Sequence, residues 1–191
     1  RSVSAFLLNR SSDLEIRKLK PDEFHVYFEQ TVPWKGIAER YFTTSSVVED
    51  NFKTTPEKFI DAFYGVVTAT YCLDEDRGCF DDVFTEEEKH AIWQGLSADY
   101  FLDVARYEGS TNLRVDYAAF TLGQMLEMAD KDLADGSTQL RLRFGHDSGI
   151  APLMILLGVN GADRTATTPE ESLEIFPSYN IPMAASVQMV F

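Results

Sequence analysis

The stretch LRLRFGHDSGIAPLMILLG, residues 140–158, decides the class of fold that we predict for this chain. Its first five residues alternate between apolar and charged side chains, which indicates a β-strand. The residues GHDSG that follow are typical of a tight turn, and the apolar run over 150–157 before Gly158 indicates a short buried helix. A strand, a turn and a helix in this order are a building unit of α/β proteins. We therefore predict an α/β fold.

The end of the sequence, PMAASVQMVF at 182–191, is also expected to belong to the sheet. It is apolar over most of its length and short enough for a strand. We therefore predict that it joins the strand at 140–144 in one sheet.

The middle of the chain is predicted to be helical. Thr55 can cap a helix that begins at Pro56 and runs to about Leu73. Thr85 precedes three glutamates, which is the pattern of a capping box at a helix start. A third helix is expected over 112–133, where an Asp-Gly pair follows. Its expected buried side comprises Val115, Phe120, Leu122, Met125, Leu126 and Met128.

Two other segments in the first part of the chain carry weaker patterns. The apolar residues at 3–8 indicate the buried face of a helix. Residues 24–28 alternate as in a short strand, but the Pro-Asp-Glu before them suits a helix start, so both interpretations stay open. His25 has no partner motif, and we expect it to be a surface or packing histidine. His90 lies among polar neighbours and is expected to be structural.

Charge and hydropathy exclude two classes of function. The net charge of -14 argues against a surface that follows nucleic-acid phosphates, because such a surface needs an excess of Lys and Arg. No window approaches the run of about 20 apolar residues that a membrane span requires. We therefore expect a soluble domain that binds neither nucleic acid nor the bilayer interior.

Cys72 and Cys79 do not form a metal-binding motif, because no second cysteine pair or suitable histidine accompanies them. A disulfide across the turn at Gly78 and two separate thiols are both compatible with their spacing.

The candidate site follows the predicted strand. His146 and Asp147 lie where the turn meets the helix, so a bound anion would meet the positive end of the helix dipole, an imidazole and a carboxyl group. That combination suits phosphate chemistry. Ser148 can donate to a phosphate or cap the helix, and the cap requires no ligand. Arg141 and Arg143 precede the motif and are expected to form ion pairs.

Several motifs together resemble one family of enzymes. FGHDSGIAPLM at 144–154 resembles the His-Asp motif of the branch-2 histidine acid phosphatases, and 181–191 resembles the strand that follows it. RSVSAFL at 1–7 is similar to the arginine helix of that family, with a spacing one residue shorter. CFDDVFT at 79–85 and YEGS at 107–110 are similar to the multiple inositol polyphosphate phosphatases. The resemblance spans nearly the whole chain.

This resemblance implies a phosphoglycerate-mutase-like α/β core, incomplete here, with a mainly helical lobe inserted. Residues 1–19 and 136–191 would belong to the core and 20–135 to the lobe. Such enzymes hydrolyse phosphate monoesters through a phosphohistidine and use no metal or cofactor. Their nucleophile lies in an Arg-His-Gly-x-Arg motif, which these 191 residues lack. We therefore expect this chain to be the C-terminal part of a longer protein and to be inactive without the N-terminal segment.

The resemblance also implies a role for each site residue. Asp147 would protonate the leaving group, His146 would bind the phosphoryl group and share its charge, and Arg1 and Ser148 would contact phosphate oxygens. Inositol polyphosphate phosphatases often have Ala-Glu after the histidine, so Asp147 leaves the substrate open between inositol polyphosphates and other small phosphate monoesters.

Partners and location are likewise implied only by the resemblance. The missing N-terminal segment would be a partner of this chain, and the protein would be secreted, periplasmic or lumenal. Two alternatives are a non-catalytic binding module of the same fold and an unrelated acidic helical interaction domain.

Overall fold

The computed structural model describes residues 22–75, 77–110, 113–136, 138, 140–182 and 184–190. The predicted helix over 3–8 and the predicted phosphate ligand Arg1 lie outside these ranges. The described residues form two compact units, Asp22–Asp99 and the part of the chain from Tyr100 onward. This division by packing differs from the predicted boundaries after 19 and 135. The assignment of those ranges to a phosphatase core and lobe stays a prediction.

The first unit is helical throughout its regular structure. Its helices are α1 (Asp22–Thr31), α2 (Trp34–Tyr41), α3 (Val47–Asp50), α4 (Pro56–Ala69) and the first part of α5 (Glu86–Val104), with a 3-10 turn at Thr70–Cys72 after α4. Cys72 and Cys79 in this unit are both exposed and carry free thiols.

Helix α1 settles the segment for which strand and helix were both open. Phe24 and Phe28, four residues apart, are buried, whereas Val26 between them is 51% exposed. In a strand all three would share one face, but in a helix only residues three or four apart do so. The two acidic residues in the first turn also interact favourably with the positive end of the helix dipole.

The predicted caps of α4 and α5 are confirmed. Thr55 Oγ1 accepts a hydrogen bond from the N–H of Lys58 at 3.5 Å, and Pro56 occupies the first helical position. At α5, Thr85 Oγ1 accepts from the N–H of Glu88 at 3.2 Å, and Glu88 Oε2 accepts from the N–H of Thr85 at 2.9 Å. These bonds satisfy N–H groups that a helix start leaves without intrahelical partners.

The core of the first unit joins residues from its five helices, α1 to α5. Its fully buried members include Ile37, Val48, Ile60 and Ile92. Gly95 of α5 lies so close to α1 that a Cβ atom at this position would be 2.7 Å from Phe28 Cδ2. The absent side chain at Gly95 therefore permits the close approach of α1 and α5.

The second unit combines helices with one pair of strands. After α5 it contains β1 (Arg106–Tyr107), α6 (Leu113–Asp135), α7 (Asp147–Leu156), β2 (Thr165–Ala166) and α8 (Pro169–Ile175), with 3-10 turns at Val159–Gly161 and Ser178–Asn180. The two strands are parallel, with Arg106 opposite Thr165 and Tyr107 opposite Ala166. Helices α6 and α7 pack against each other.

The predicted strands at 140–144 and 182–191 are wrong for the residues that the structure describes. Residues 140–144 and 184–190 carry no regular secondary structure, and Phe144 is 92% exposed. Alternation of side chains indicates which residues can line a sheet, but a strand also requires a hydrogen-bonded neighbour. The described chain supplies no such neighbour at these positions. It is mostly helical, with a single two-residue parallel strand pair.

The third predicted helix is confirmed as α6, but part of its predicted buried face is wrong. Val115 is buried, whereas Phe120 is 70% exposed and Leu126 and Met128 are also exposed. The sequence of α6 has more apolar residues than the inward face of one helix holds. The inward stripe instead follows Val115, Ala118, Leu122 and Met125.

Among the described residues, no helix is both long and apolar enough to cross a membrane.

Candidate functional site

The His-Asp pair marks the start of α7. His146 is the N-cap residue, with extended backbone angles (φ -95°, ψ 168°), and Asp147 begins the helix. The His146 carbonyl accepts hydrogen bonds from the N–H groups of Gly149 and Ile150 at 3.0 and 3.2 Å. His146 and Asp147 are exposed and Ser148 is half-buried. The side chain of His146 makes no capping bond, so the imidazole is not hydrogen-bonded to the N–H groups of the helix start.

Tyr100, near the end of α5, lies beside Asp147. Its hydroxyl oxygen is buried and forms no hydrogen bond of ordinary geometry in the described structure. Burial raises the pKa of Tyr100 above its usual value, and the negative charge and hydrogen-bonding approach of the Asp147 carboxylate raise it further. Tyr100 therefore keeps its proton and can donate a hydrogen bond to an ionised Asp147.

Arg114 and Asp103 complete the surroundings of this hydroxyl. Arg114 Nη2 lies 3.5 Å from Asp103 Oδ2, and the Arg114 side chain is only 13% exposed. The positive charge of Arg114 lowers the pKa of Tyr100 and the negative charge of Asp103 raises it. Residues from α5, α6 and α7 thus meet around one buried hydroxyl. We refer to Tyr100, Asp103, Arg114 and Asp147 as the Tyr100 cluster.

The charges of the Tyr100 cluster limit its chemistry. The cluster contains one guanidinium and two carboxyl groups, so it is negative when both carboxyls are ionised. A phosphate bound at the start of α7 would be repelled by the negative charge of an ionised Asp147. The charges of the Tyr100 cluster therefore do not favour tight binding of an anion.

The two arginines before the motif have partners on α6. Arg141 forms a bidentate ion pair with Asp132, in which Arg141 Nη2 lies 2.7 Å from Oδ1. This confirms the predicted ion pair of Arg141. Arg143 instead donates from Nη2 to the sulfur of Met128 at 3.1 Å, and its predicted ion pair does not form among the described residues.

The other two histidines have packing or hydrogen-bonding roles. His25 Nδ1 is hydrogen-bonded to Glu57 Oε1, and Glu57 is largely buried. His90 stacks on Trp93 with ring centroids 5.6 Å apart. Neither belongs to the Tyr100 cluster.

Sequence reasoning missed Tyr100, Asp103 and Arg114. Tyr100 has the residue type of a core aromatic in an apolar stripe, and its sequence neighbours give no sign of a carboxylate beside its hydroxyl. Arg114 lies 11 residues from its partner Asp103 on a different helix. Only the return of the chain through α6 to α7 brings these groups together.

The residues of this cluster line neither of two cavities found among the described residues. Two cavities, of about 440 and 390 Å³, are lined by residues between Tyr41 and Val66 of the first unit. No predicted site residue lines either one. Among the described residues, no group of three or more His, Cys, Asp or Glu side chains is arranged to hold a metal ion.

Comparison of the chain with protein-family models, with curated proteins and with solved structures finds no match.

Proposed function

We propose that this chain is the proton-donor part of a phosphate monoesterase that works through a phosphohistidine. The observation that carries the proposal is Asp147, placed in the first turn of α7 beside the buried hydroxyl of Tyr100. The resemblance of residues 144–154 to the histidine acid phosphatases supplies the reaction class. Its substrates would be inositol polyphosphates or other small phosphate monoesters.

In the first step, a nucleophilic histidine attacks phosphorus and the bond from phosphorus to the ester oxygen breaks. Asp147 gives its proton to that oxygen, so an alcohol leaves and Asp147 becomes a carboxylate. The Tyr100 hydroxyl would donate to this carboxylate and stabilise it. In the second step, water attacks the phosphohistidine, Asp147 takes back a proton, and inorganic phosphate is released.

His146 would contribute through charge. Its imidazole lies at the N-cap of α7, where the positive end of the helix dipole also faces a bound phosphate. A donor at this position stabilises the negative oxygens of the transferring phosphoryl group. Ser148 and Arg1 would add contacts to phosphate oxygens.

The proposal includes a second polypeptide segment. These 191 residues contain no Arg-His-Gly sequence, and neither His25 nor His90 has the flanking glycine and arginines of the nucleophile motif. The chain by itself is therefore expected to release no phosphate. The nucleophile would come from an N-terminal segment of the same protein, in a secreted, periplasmic or lumenal setting.

The test compares two substrates in the complete product of the gene that encodes this chain. Asp147→Asn should slow hydrolysis of phytate, whose alkoxide leaving group requires a proton, far more than hydrolysis of p-nitrophenyl phosphate. Asp163→Asn in the same unit is the matched control, and the 191-residue chain is assayed beside it. His146→Ala should slow both substrates, because it removes phosphoryl binding. Equal hydrolysis by Asp147→Asn and the control would overturn the proposal.

A non-catalytic binding module is the second candidate, favoured by the absence of the nucleophile motif from these residues. If the complete gene product binds inositol hexakisphosphate in a His146-dependent manner but releases no phosphate, that candidate is correct.

A further inference from the structure

The first unit carries an open apolar groove that the proposed function does not use. It lies along α4 and has a volume of about 390 Å³, within the range of small-molecule sites. Four phenylalanines line it, Phe42, Phe52, Phe59 and Phe63, together with Lys58 and Val66. We call it the α4 groove.

The aromatic side chains of the α4 groove hold one another in place. Phe52 stacks on Phe59 with centroids 6.1 Å apart and an interplanar angle of 13°, and Phe42 meets Phe52 edge-on at 5.4 Å. Despite these contacts Phe52 remains 51% exposed and Val66 58% exposed. A ligand with an apolar body would therefore remove apolar surface from water without rearranging the rings.

The loop before α4 presents Phe52 at a conformational cost. Lys53, the next residue, has a positive φ of 50°, which residues other than glycine adopt unfavourably. The N–H of Thr54 then bonds to the carbonyl of Val48 at 3.2 Å and anchors the loop to α3. Strained backbone of this kind concentrates at binding sites.

The α4 groove is polar at one end only. Lys58 lies in the first turn of α4, where the helix dipole is positive, and no side chain of the described residues forms an ion pair with it. Val66 lies eight residues further along the same helix, about 12 Å away along the axis. The groove thus offers one unpaired ammonium group followed by a purely apolar run.

We infer that the α4 groove binds a monocarboxylic acid with an apolar tail. The carboxylate lies on the Lys58 ammonium group, and the tail follows the phenylalanines toward Val66. A tail of about 12 Å, the length of a medium-chain acyl group, spans this distance. The inference does not depend on the phosphatase proposal, because every residue it uses lies within Asp22–Asp99.

The test measures binding of decanoate and of 1-decanol to the folded 191-residue chain at pH 8 by displacement of a fluorescent fatty-acid analogue. Lys58→Gln should lower the affinity for decanoate by about threefold to fivefold and leave the affinity for 1-decanol unchanged. The variant should therefore no longer prefer the acid to the alcohol. Val66→Glu should weaken both ligands. Lys131→Gln removes the same charge from α6 and should change neither.

The inference fails if decanoate does not bind at about 1 mM, the weak end of specific affinities. It also fails if Lys58→Gln keeps the same ratio of acid to alcohol affinity as Lys131→Gln. Circular dichroism of each variant distinguishes a loss of binding from a loss of fold.

Discussion

Gly95 and Gly65 are both helical glycines, but their surroundings are opposite. A Cβ atom at Gly95 would lie 2.7 Å from Phe28 Cδ2 and 2.9 Å from Val32 Cγ2, whereas a Cβ atom at Gly65 would meet nothing within 4 Å. Phe28 and Val32 are buried and cannot move aside easily. The same substitution therefore has opposite consequences at the two positions.

We expect Gly95→Ala to lower the free energy of unfolding by about 1–3 kcal/mol, because overpacking forces α1 away from α5. Gly65→Ala should instead raise it by about 0.5–1 kcal/mol, because alanine loses less conformational freedom in a helix. Urea unfolding of the two variants measures both changes. If Gly95→Ala were also stabilising, α1 and α5 would not be in close contact at this position.

At the level of single residues, the sequence predicted what depends on near neighbours. The caps at Thr55 and Thr85 bond to groups three residues away, so their pattern is visible in the sequence. The placement of Asp147 beside Tyr100 depends on the return of the chain through α6, which lies between them in the sequence. No short-range pattern contains that information.

Among the elements, α6 is connected to the segment before α7 by an ion pair. Hydrogen bonds from Arg141 lower the pKa of Asp132, and the positive charge of Arg141 lowers it further. A carboxyl group with a lowered pKa in the folded state stabilises the fold above its ordinary pKa of about 3.9. That stabilisation is lost as the pH falls through the lowered value.

We predict that Arg141→Gln raises the pKa of Asp132 toward its ordinary value. NMR titration of the carboxyl carbon of Asp132 measures the change. Arg143→Gln is the matched control, because Arg143 bonds to Met128 and not to Asp132. An Asp132 pKa that is the same in Arg141→Gln and the control would show that the ion pair does not form in solution.

Helices were predicted better than strands because helices satisfy their backbone hydrogen bonds locally. The starts of α4 and α5 follow from their caps, and the end of α6 follows from the Asp-Gly pair at 135–136. The residues at 140–144 alternate correctly for a strand, but pairing is decided by chain segments distant in sequence. The actual pair, β1 with β2, consists of two residues on each strand, too short for any periodic pattern.

For the whole molecule, the dominant electrostatic feature is the net charge of -14. Like charges over the surface repel one another and destabilise the compact state. Individual ion pairs oppose this effect, as between Arg40 Nη2 and Glu88 Oε2 at 2.7 Å. Salt weakens both the general repulsion and the ion pairs, so the net effect of salt on stability shows which of these two interactions dominates.

We expect the melting temperature of the 191-residue chain to rise by about 2–4 °C between low salt and about 0.2 M NaCl at pH 7, corresponding to about 1 kcal/mol. Thermal unfolding followed by circular dichroism measures it. A fall in melting temperature over this range would mean that ion pairs outweigh the general repulsion.

The β1–β2 pair also constrains the order in which the second unit can fold. The hydroxyl of Tyr107 bonds to the carbonyl of Thr167, 60 residues away in the chain. Closing a flexible loop of that length costs about 4 kcal/mol in entropy, whereas a hydrogen bond contributes about 0.5–1.5 kcal/mol. We therefore expect that the short pair does not nucleate folding and forms late, after α6 and α7 have packed and brought its ends together.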